Sequence, residues 1–163
     1  MSQNLDLYGG NYSTTKAGLT AGTTTTYTTA NTVQYSIGGK SYSKTAVTNG
    51  ATPTTDATSG AAFALRPVAA NFGSVYVFGF DTSGAVKVSQ GDIKALDASG
   101  AFIDAPQFPI APDNVAPFGY LIVKAGSTAS SWTFGTSNLA GPPTGVTLTF
   151  VDVLTLPARP QIA

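Results

Sequence analysis

Acidic side chains are the groups of this chain best suited to acid–base chemistry. All eight acidic residues are aspartates, and the chain has neither histidine nor cysteine. Asp92, Asp97 and Asp104 are the nearest candidates for the pair of carboxylates that a glycosidase uses. Each of them falls where a turn or strand-edge residue is expected, a common place for aspartate. We therefore expect structural aspartates, and an Asp-dependent hydrolase is the least favoured of the hypotheses.

Other catalytic and metal-binding patterns are missing or incomplete. Zinc sites and Ser–His–Asp or Cys–His catalysis need histidine or cysteine, which the chain lacks. Asp81 with Ser83, and Asp97 with Ser99, offer oxygen ligands but no full calcium set. The stretch Gly38-Gly-Lys-Ser resembles part of a phosphate-binding loop, but residue 34 is glutamine and a strand is expected after the lysine. The sequence therefore predicts no enzyme, and no catalytic, cofactor-binding or metal site.

The one tryptophan is the residue best suited to stack on a bound sugar. Trp132 and Phe134 alternate with Ser131 and Thr133, which is the pattern of a strand with one buried face. That pattern favours a core position for Trp132, because large aromatic side chains dominate protein cores. A carbohydrate-binding or adhesin-like β-sandwich remains the alternative function.

Charge and composition limit the classes of partner. Eight basic and eight acidic residues give a formal net charge of zero over 163 residues, of which 10% are charged. No basic stripe is present, so we expect neither nucleic-acid nor membrane-surface binding. A neutral, weakly charged surface protects poorly against self-association. The first residues show no secretion signal, and no apolar run approaches the length of a membrane span. We expect a protein that is soluble as made and works in an assembly.

The pattern of β-branched residues and turn residues predicts an all-β fold. Gly38-Gly39 should connect a hairpin of residues 32–37 and 40–47, and the Asp-x-Ser-Gly tetrads at 81–84 and 97–100 should turn two further hairpins. Residues 75–80 are apolar at nearly every position, so both faces of that strand should be covered. Further strands are expected at residues 118–124, 131–134 and 146–156. These strands predict an antiparallel β-sandwich or a jelly-roll-like barrel.

Two segments are expected to lie outside regular strands. Residues 105–117 hold four prolines and predict an extended crossover. This segment and the N-terminal residues are the candidate contacts with partners, since a rigid extended backbone loses little entropy on docking, and the alternative is that both only connect parts of one subunit. Residues 1–30 are rich in Ser, Thr, Gly and Asn and predict an extended N-terminal arm, either disordered or ordered against a neighbouring subunit. The expected organisation is an arm over residues 1–30 and a single β domain over residues 31–163.

Several stretches together resemble small virion proteins of tailed bacteriophages. They are Tyr-Thr-Thr-Ala-Asn-Thr at 27–32, Ile-Gly-Gly-Lys-Ser-Tyr at 37–42, Ala-Thr-Pro-Thr-Thr-Asp at 51–56, Val-Lys-Val-Ser-Gln-Gly-Asp-Ile at 86–93, Pro-Gln-Phe-Pro at 106–109, residues 119–127, and Asp-Val-Leu-Thr-Leu-Pro-Ala-Arg-Pro at 152–160. The resemblance implies a structural protein, such as a capsid decoration (cement) protein or a tail or fibre component. It also implies synthesis in the bacterial cytoplasm, location in the virion, a major capsid protein as partner, and a homotrimer. The resemblance carries no functional residues over to this chain.

Overall fold

The computed structural model describes residues 10–162, and its regular structure is almost entirely β-strand. Within that part of the chain the strands are β1 (Tyr12–Ser13), β2 (Leu19–Ala21), β3 (Tyr27–Thr29), β4 (Val33–Ile37), β5 (Lys40–Lys44), β6 (Val47–Gly50), β7 (Phe72–Asp81), β8 (Val86–Gln90), β9 (Lys94–Ala95), β10 (Val115–Ala125) and β11 (Val146–Asp152), with one 3-10 turn at Phe63–Leu65. Among the same residues, no helix has the length and apolar character needed to cross a membrane.

The strands form three antiparallel sheets that share a core. The large sheet has the order β11-β10-β7-β8, and β9 also pairs with β7 beyond the end of β8. The small sheets have the orders β1-β4-β5 and β2-β3-β6. Apolar side chains of both small sheets pack in one cluster with one face of β7 and β10. The predicted all-β antiparallel sandwich is confirmed, and its form is an open sandwich.

Strands β7 and β10 form the centre of the molecule. Every residue from Gly73 to Phe80 is buried. On one face, Tyr76 and Phe78 join the shared core. On the other face, Val75 and Val77 pack with Tyr120, Ile122 and the segment that follows β11. The prediction that both faces of residues 75–80 are covered is therefore confirmed.

A bulge lets proline enter a central strand. Pro117 was expected to close the crossover, but β10 begins at Val115 and includes it. The register with β7 shifts between Pro117 and Gly119, so Phe118 is an extra residue on β10. Proline is tolerated inside a sheet at such an irregularity. Phe118 then stacks on Phe80, with ring centroids 4.3 Å apart.

The prediction of an extended N-terminal arm is wrong for residues 10–30, the part of it that the structure describes. Residues 10–30 contribute β1, β2 and β3, and Ala17, Leu19 and Tyr27 are buried in the shared core. The threonine run at 23–26 forms only the turn between β2 and β3, where the Gly22 N–H donates to the carbonyl oxygen of Thr26 at 2.8 Å. Residues 1–9 of the predicted arm lie outside the described residues.

Two predicted strands are shorter in the structure. Residues 131–134 make only an isolated bridge between Trp132 and Val68, followed by turns. Strand β11 ends at Asp152 instead of residue 156, where its pairing with β10 reaches Gly119 beside the bulge. Both differences come from partners distant in sequence, which override the local two-residue pattern.

The predicted turns are confirmed. Gly38 and Gly39 both have positive φ, at 56° and 80°, and connect β4 to β5 in the expected two-residue loop. The 81–84 tetrad turns β7 into β8. The 97–100 tetrad also turns the chain back, although the pairing beyond it is a single bridge between Leu96 and Phe102. Residues 105–114 contain no strand, as the prolines predict.

The close approach of β7 and β10 at the bulge gives a test of the fold. A methyl group on Gly79 would press against the Val115 side chain and lie 2.7 Å from the carbonyl oxygen of Ala116. We expect Gly79→Ala to lower the free energy of unfolding by about 1–3 kcal/mol, a typical cost of overpacking. Urea titration should show a lower midpoint with an unchanged slope. The control is Gly141→Ala, where the nearest atom would be 3.7 Å away, and equal effects of the two changes would contradict the placement of β7 against β10.

Candidate interaction surface

Asp81 and Asp97, the aspartates of the two tetrads, serve as turn caps. The Oδ1 atom of Asp81 accepts the N–H of Ser83 at 2.9 Å and that of Ala85 at 3.0 Å, as well as the Ser83 hydroxyl at 2.6 Å. Asp97 repeats this arrangement with Ser99 and Ala101. Because both serines donate to their aspartate, these groups already satisfy each other within the turn.

The protonation of the two caps follows from these contacts. Burial alone would raise the pKa of Asp81, but the hydrogen bonds from Ser83 and Ala85 outweigh it and hold that pKa below its ordinary value. At the exposed Asp97, the hydrogen bond from the Ser99 side chain is the main cause of a lowered pKa. A catalytic acid near neutral pH needs a raised pKa, so the shifts point away from that role.

The other candidate residues do not come together as a site. Asp92 and Asp104 are exposed. Within the described part of the chain, no three acidic side chains group as metal ligands. The Gly38-Gly-Lys-Ser stretch is the β4–β5 hairpin and precedes a strand rather than a helix.

Trp132 lies in the core. It is fully buried, and its ring contacts Tyr76 and Phe134 at centroid distances of 5.7 and 6.0 Å. The core interpretation is therefore confirmed, and Trp132 cannot serve as a sugar platform in this structure. Tyr76 is also fully buried, and desolvation raises the pKa of its hydroxyl well above the ordinary value.

The notable surface feature is a set of exposed apolar side chains along one edge of the large sheet. Five large apolar residues are exposed among residues 10–162: Leu65 (77%), Phe72 (39%), Ile103 (64%), Ile110 (82%) and Leu154 (40%). The first four flank strands β8 and β9, whereas Leu154 follows β11, at the opposite edge. We call the surface formed by Leu65, Phe72, Ile103 and Ile110 the β8–β9 edge surface.

Hydrogen bonds and strand pairing connect each of these four residues to the edge. Phe72 is paired with Ala95 of β9, and the Ile103 N–H donates to the Ala95 carbonyl oxygen at 3.1 Å. The carbonyl oxygen of Ile110 lies 2.6 Å from the Thr58 hydroxyl, which is 2.9 Å from Ser89 Oγ on β8.

Leu65 is placed by its neighbour Arg66, whose guanidinium donates to the Gly91 carbonyl oxygen at 3.1 Å. The Gln90 amide donates in return to the Arg66 carbonyl oxygen at 3.0 Å. These contacts fix the 63–66 turn against the end of β8, so Leu65 projects from a backbone that is held in place.

A cleft of about 330 Å³ lies beside Ile110. It is lined by Arg66 and the buried Asp56, whose closest charged atoms are 3.8 Å apart, and by the apolar side chains of Phe108 and Ile110. The Oδ1 atom of Asp56 accepts the Thr58 N–H at 2.8 Å, so this carboxylate shapes the adjacent loop. The cleft therefore combines a small polar patch with an apolar rim.

Sequence reasoning pointed to residues 105–117, which include Ile110, as a candidate contact, but it did not identify Leu65, Phe72 or Ile103. Neither Ile110 nor Leu65 follows a periodic pattern. The available signal was an isolated large aliphatic residue among prolines and small residues, which no expected strand could bury.

Comparisons of the chain with protein-family models, with curated proteins and with solved structures gave no match.

The Asp81 cap predicts a specific dependence of stability on pH. Since the pKa of Asp81 is lowered in the folded state, its contribution is complete above the unfolded value of about 3.9 and is lost as the pH falls through the folded value. We expect Asp81→Ala to cost about 1 kcal/mol at neutral pH, because three hydrogen bonds to a charged, half-buried carboxylate are lost. In urea titrations, the difference from wild type should shrink as the pH falls below about 4.

The matched control for this prediction is Asp113→Ala, because Asp113 is exposed. A difference between wild type and Asp81→Ala that stayed constant from neutral to acidic pH would show that the carboxylate charge does not stabilise the turn.

Proposed function

We propose that this chain is a structural protein of a bacteriophage particle, a capsid decoration protein that stabilises the head through protein–protein contacts. The observation that carries the proposal is the β8–β9 edge surface, because four of the five exposed large apolar side chains of residues 10–162 belong to segments that border β8 or β9. Concentrated exposed apolar residues mark sites of protein interaction. The resemblance of the sequence to small virion proteins supports a viral particle as the setting.

The charge distribution supports the same proposal. With a formal net charge of zero and few charged residues, the chain has little electrostatic repulsion to overcome when many copies are brought close together. The expected partners are the major capsid protein and further copies of the chain. A homotrimer is the stoichiometry that fits a decoration protein on a three-fold position of a capsid, since symmetric assemblies use repeated interfaces.

The open sandwich is suited to this role. The two central strands of the large sheet, β7 and β10, are covered on both faces by parts of the same chain, so their buried side chains are not available to a partner. The exposed large apolar side chains lie instead at strand edges and loops, where Leu65, Ile103 and Ile110 are found. The proposal implies that the protein is made in the bacterial cytoplasm, is added to the head as a folded unit, and is then part of the virion.

Mass spectrometry of purified phage particles tests the proposal. We expect the chain in tens to hundreds of copies per particle, the range that repeated symmetric positions imply. A small copy number would place it in the tail or a fibre instead, and its absence from particles would contradict the proposal.

Edge variants sharpen this test. Particles stripped of the protein should rebind added wild-type chain, and Ile110→Asp should rebind at least about tenfold less well, which corresponds to about 1.4 kcal/mol. The matched control is Leu154→Asp, since Leu154 is exposed at the opposite edge of the sheet. Equal loss of binding in the two variants would contradict a specific role for the β8–β9 edge surface.

A further inference from the structure

We infer that strand β11 pairs with β11 of a second copy of this chain, antiparallel and about a two-fold axis at Thr149. The contact lies at the edge of the large sheet opposite β8, so it goes beyond the proposed function, which uses the β8–β9 edge surface. Three features carry the inference: the outer edge of β11 is open, the other long strand edges are protected, and the strand is complementary to itself.

The outer edge of β11 carries backbone groups that have no partner among residues 10–162. The Gly126 N–H donates to the Gly145 carbonyl oxygen at 2.8 Å, in register with the β10–β11 ladder. Since hydrogen-bonded and non-hydrogen-bonded pairs alternate along an antiparallel ladder, Leu148 and Phe150 direct their N–H and C=O groups away from β10. No backbone group of residues 10–162 is hydrogen-bonded to them there. Such a row of open groups is the template to which another strand adds.

The other strand edges of comparable length are protected. The edge of β8 is closed because the Ala57 N–H donates to the Val88 carbonyl oxygen at 2.8 Å. Strand β5, at the edge of a small sheet, begins with Lys40 and ends with Lys44, and lysines at an edge oppose the addition of a further strand. Residues 146–151 include no charged residue, no proline and no glycine. The edge of β11 therefore lacks the features by which monomeric proteins avoid strand pairing.

The position of the one charged residue of β11 favours an axis in the middle of the strand. The Asp152 carboxylate accepts the Leu19 N–H at 2.9 Å, at the end of the strand. An axis at Thr149 sets Asp152 opposite Val146 of the second copy, so the two carboxylates stay apart. An axis at Asp152 itself would set them directly opposite each other, which is destabilising.

The pairing about Thr149 also matches the side chains. Thr149 is the middle residue of the seven in Val146–Asp152, so an axis there pairs the whole strand. Leu148 of each copy then lies opposite Phe150 of the other, and each such pair exchanges both of its N–H···O bonds. Leu148 and Phe150 are half-buried against the shared core, so the apolar surface that they still expose meets apolar surface. On the opposite face the exposed Thr149 meets Thr149 of the second copy, a favourable cross-strand pair.

These requirements favour a second copy over another strand. A strand that fits this edge must place apolar side chains beside Leu148 and Phe150 on one face, and small polar or β-branched ones on the other. Strand β11 of a second copy has this alternation by identity, and the one contact satisfies the open edges of both molecules. Two-fold contacts of this isologous kind are the commonest in homo-oligomers.

The two-fold contact is separate from the three-fold arrangement proposed for the particle. A two-fold axis cannot relate copies within a ring of three, so the β11 contact would join copies of neighbouring trimers. Leu154 lies beyond the paired residues 146–152, so Leu154→Asp, the control of the particle test, leaves the β11 contact intact.

Size-exclusion chromatography with light scattering, on the full chain over a range of concentrations, tests the inference. We expect a wild-type dimer that dissociates on dilution. Thr149→Lys and Thr149→Glu, each tested alone, should raise the dissociation constant at least about tenfold, because each sets like charges opposite each other across the axis. An equimolar mixture of the two variants should restore the dimer, because opposite charges then face each other.

The matched control is Thr48→Lys, which adds the same charge at an exposed position of β6 and should dimerise as wild type does. Thermal unfolding of each variant checks that the fold is retained, as expected for an exposed side chain. If one charge variant at Thr149 lost the fold, the other would still show whether like charges there prevent pairing.

Three results would overturn the inference. They are a wild-type chain that stays monomeric at every concentration, charge variants at Thr149 that dimerise as wild type does, and an equimolar mixture of folded variants that stays monomeric.

The outcomes separate this inference from the proposed function, because the two contacts use opposite edges of the large sheet. A monomeric chain that is nevertheless found in many copies on particles would refute the pairing of β11 and leave the decoration role standing. A dimer that behaves as expected, in a protein absent from particles, would support the inference and refute the role.

Discussion

The antiparallel pairing of β7 with β10 is the constraint on which the rest of the structure depends. The two strands pair over ten positions and are buried on both faces, so the other elements either extend the sheet beside them or cover one of those faces. Aromatic rings fill the shared core, with Phe80 stacked on Phe118 at 4.3 Å and Tyr76 stacked on Phe134 at 5.0 Å. Such contacts add to the stabilisation that the buried apolar area itself provides. The bulge at Phe118 makes this packing possible, because it brings an extra aromatic residue to the core without interrupting the strand.

This arrangement determines where the chain can meet other molecules. Since both faces of the two middle strands are filled by segments of the same chain, the large apolar side chains that stay exposed lie at edges and loops. Residues 56–58 close the edge at β8, where the Ala57 N–H donates to the Val88 carbonyl oxygen, but large apolar side chains around this edge are exposed. Stability and interaction are therefore served by different parts of one sheet: the middle strands hold the core, and the outer strand carries the surface that we propose for assembly. Asp81 and Asp97, whose carboxylates could have served in calcium binding or acid–base catalysis, instead cap the turns in which they lie.

The sequence predicted those parts of the fold that local chemistry determines. Gly38-Gly39 and the tetrad at Asp81 specify turns by themselves, and the continuous apolar run around Tyr76 requires a strand buried on both faces. The predictions were wrong where contacts with residues distant in sequence determine the local structure. Leu19 and Tyr27 are isolated among polar residues, and they became core only because β10 and β7 pass beside them. Trp132 was predicted to be buried, but the strand expected around it was wrong, since a single bridge to Val68 replaces a ladder. Most of the β8–β9 edge surface was beyond reach for the same reason, because it joins the first residue of β7 with residues from two separate loops.

Hydrogen exchange measured by mass spectrometry, on the free chain and on the chain in its assembled state, tests the central claim most directly. Assembly through the β8–β9 edge surface should slow exchange of backbone amides in residues 63–66 and 92–110, which carry or adjoin the exposed apolar side chains. Exchange in β5 and β6, which belong to the small sheets, should stay the same. Protection concentrated in β5 and β6, with residues 63–66 and 92–110 unchanged, would contradict the assignment of the contact to this edge.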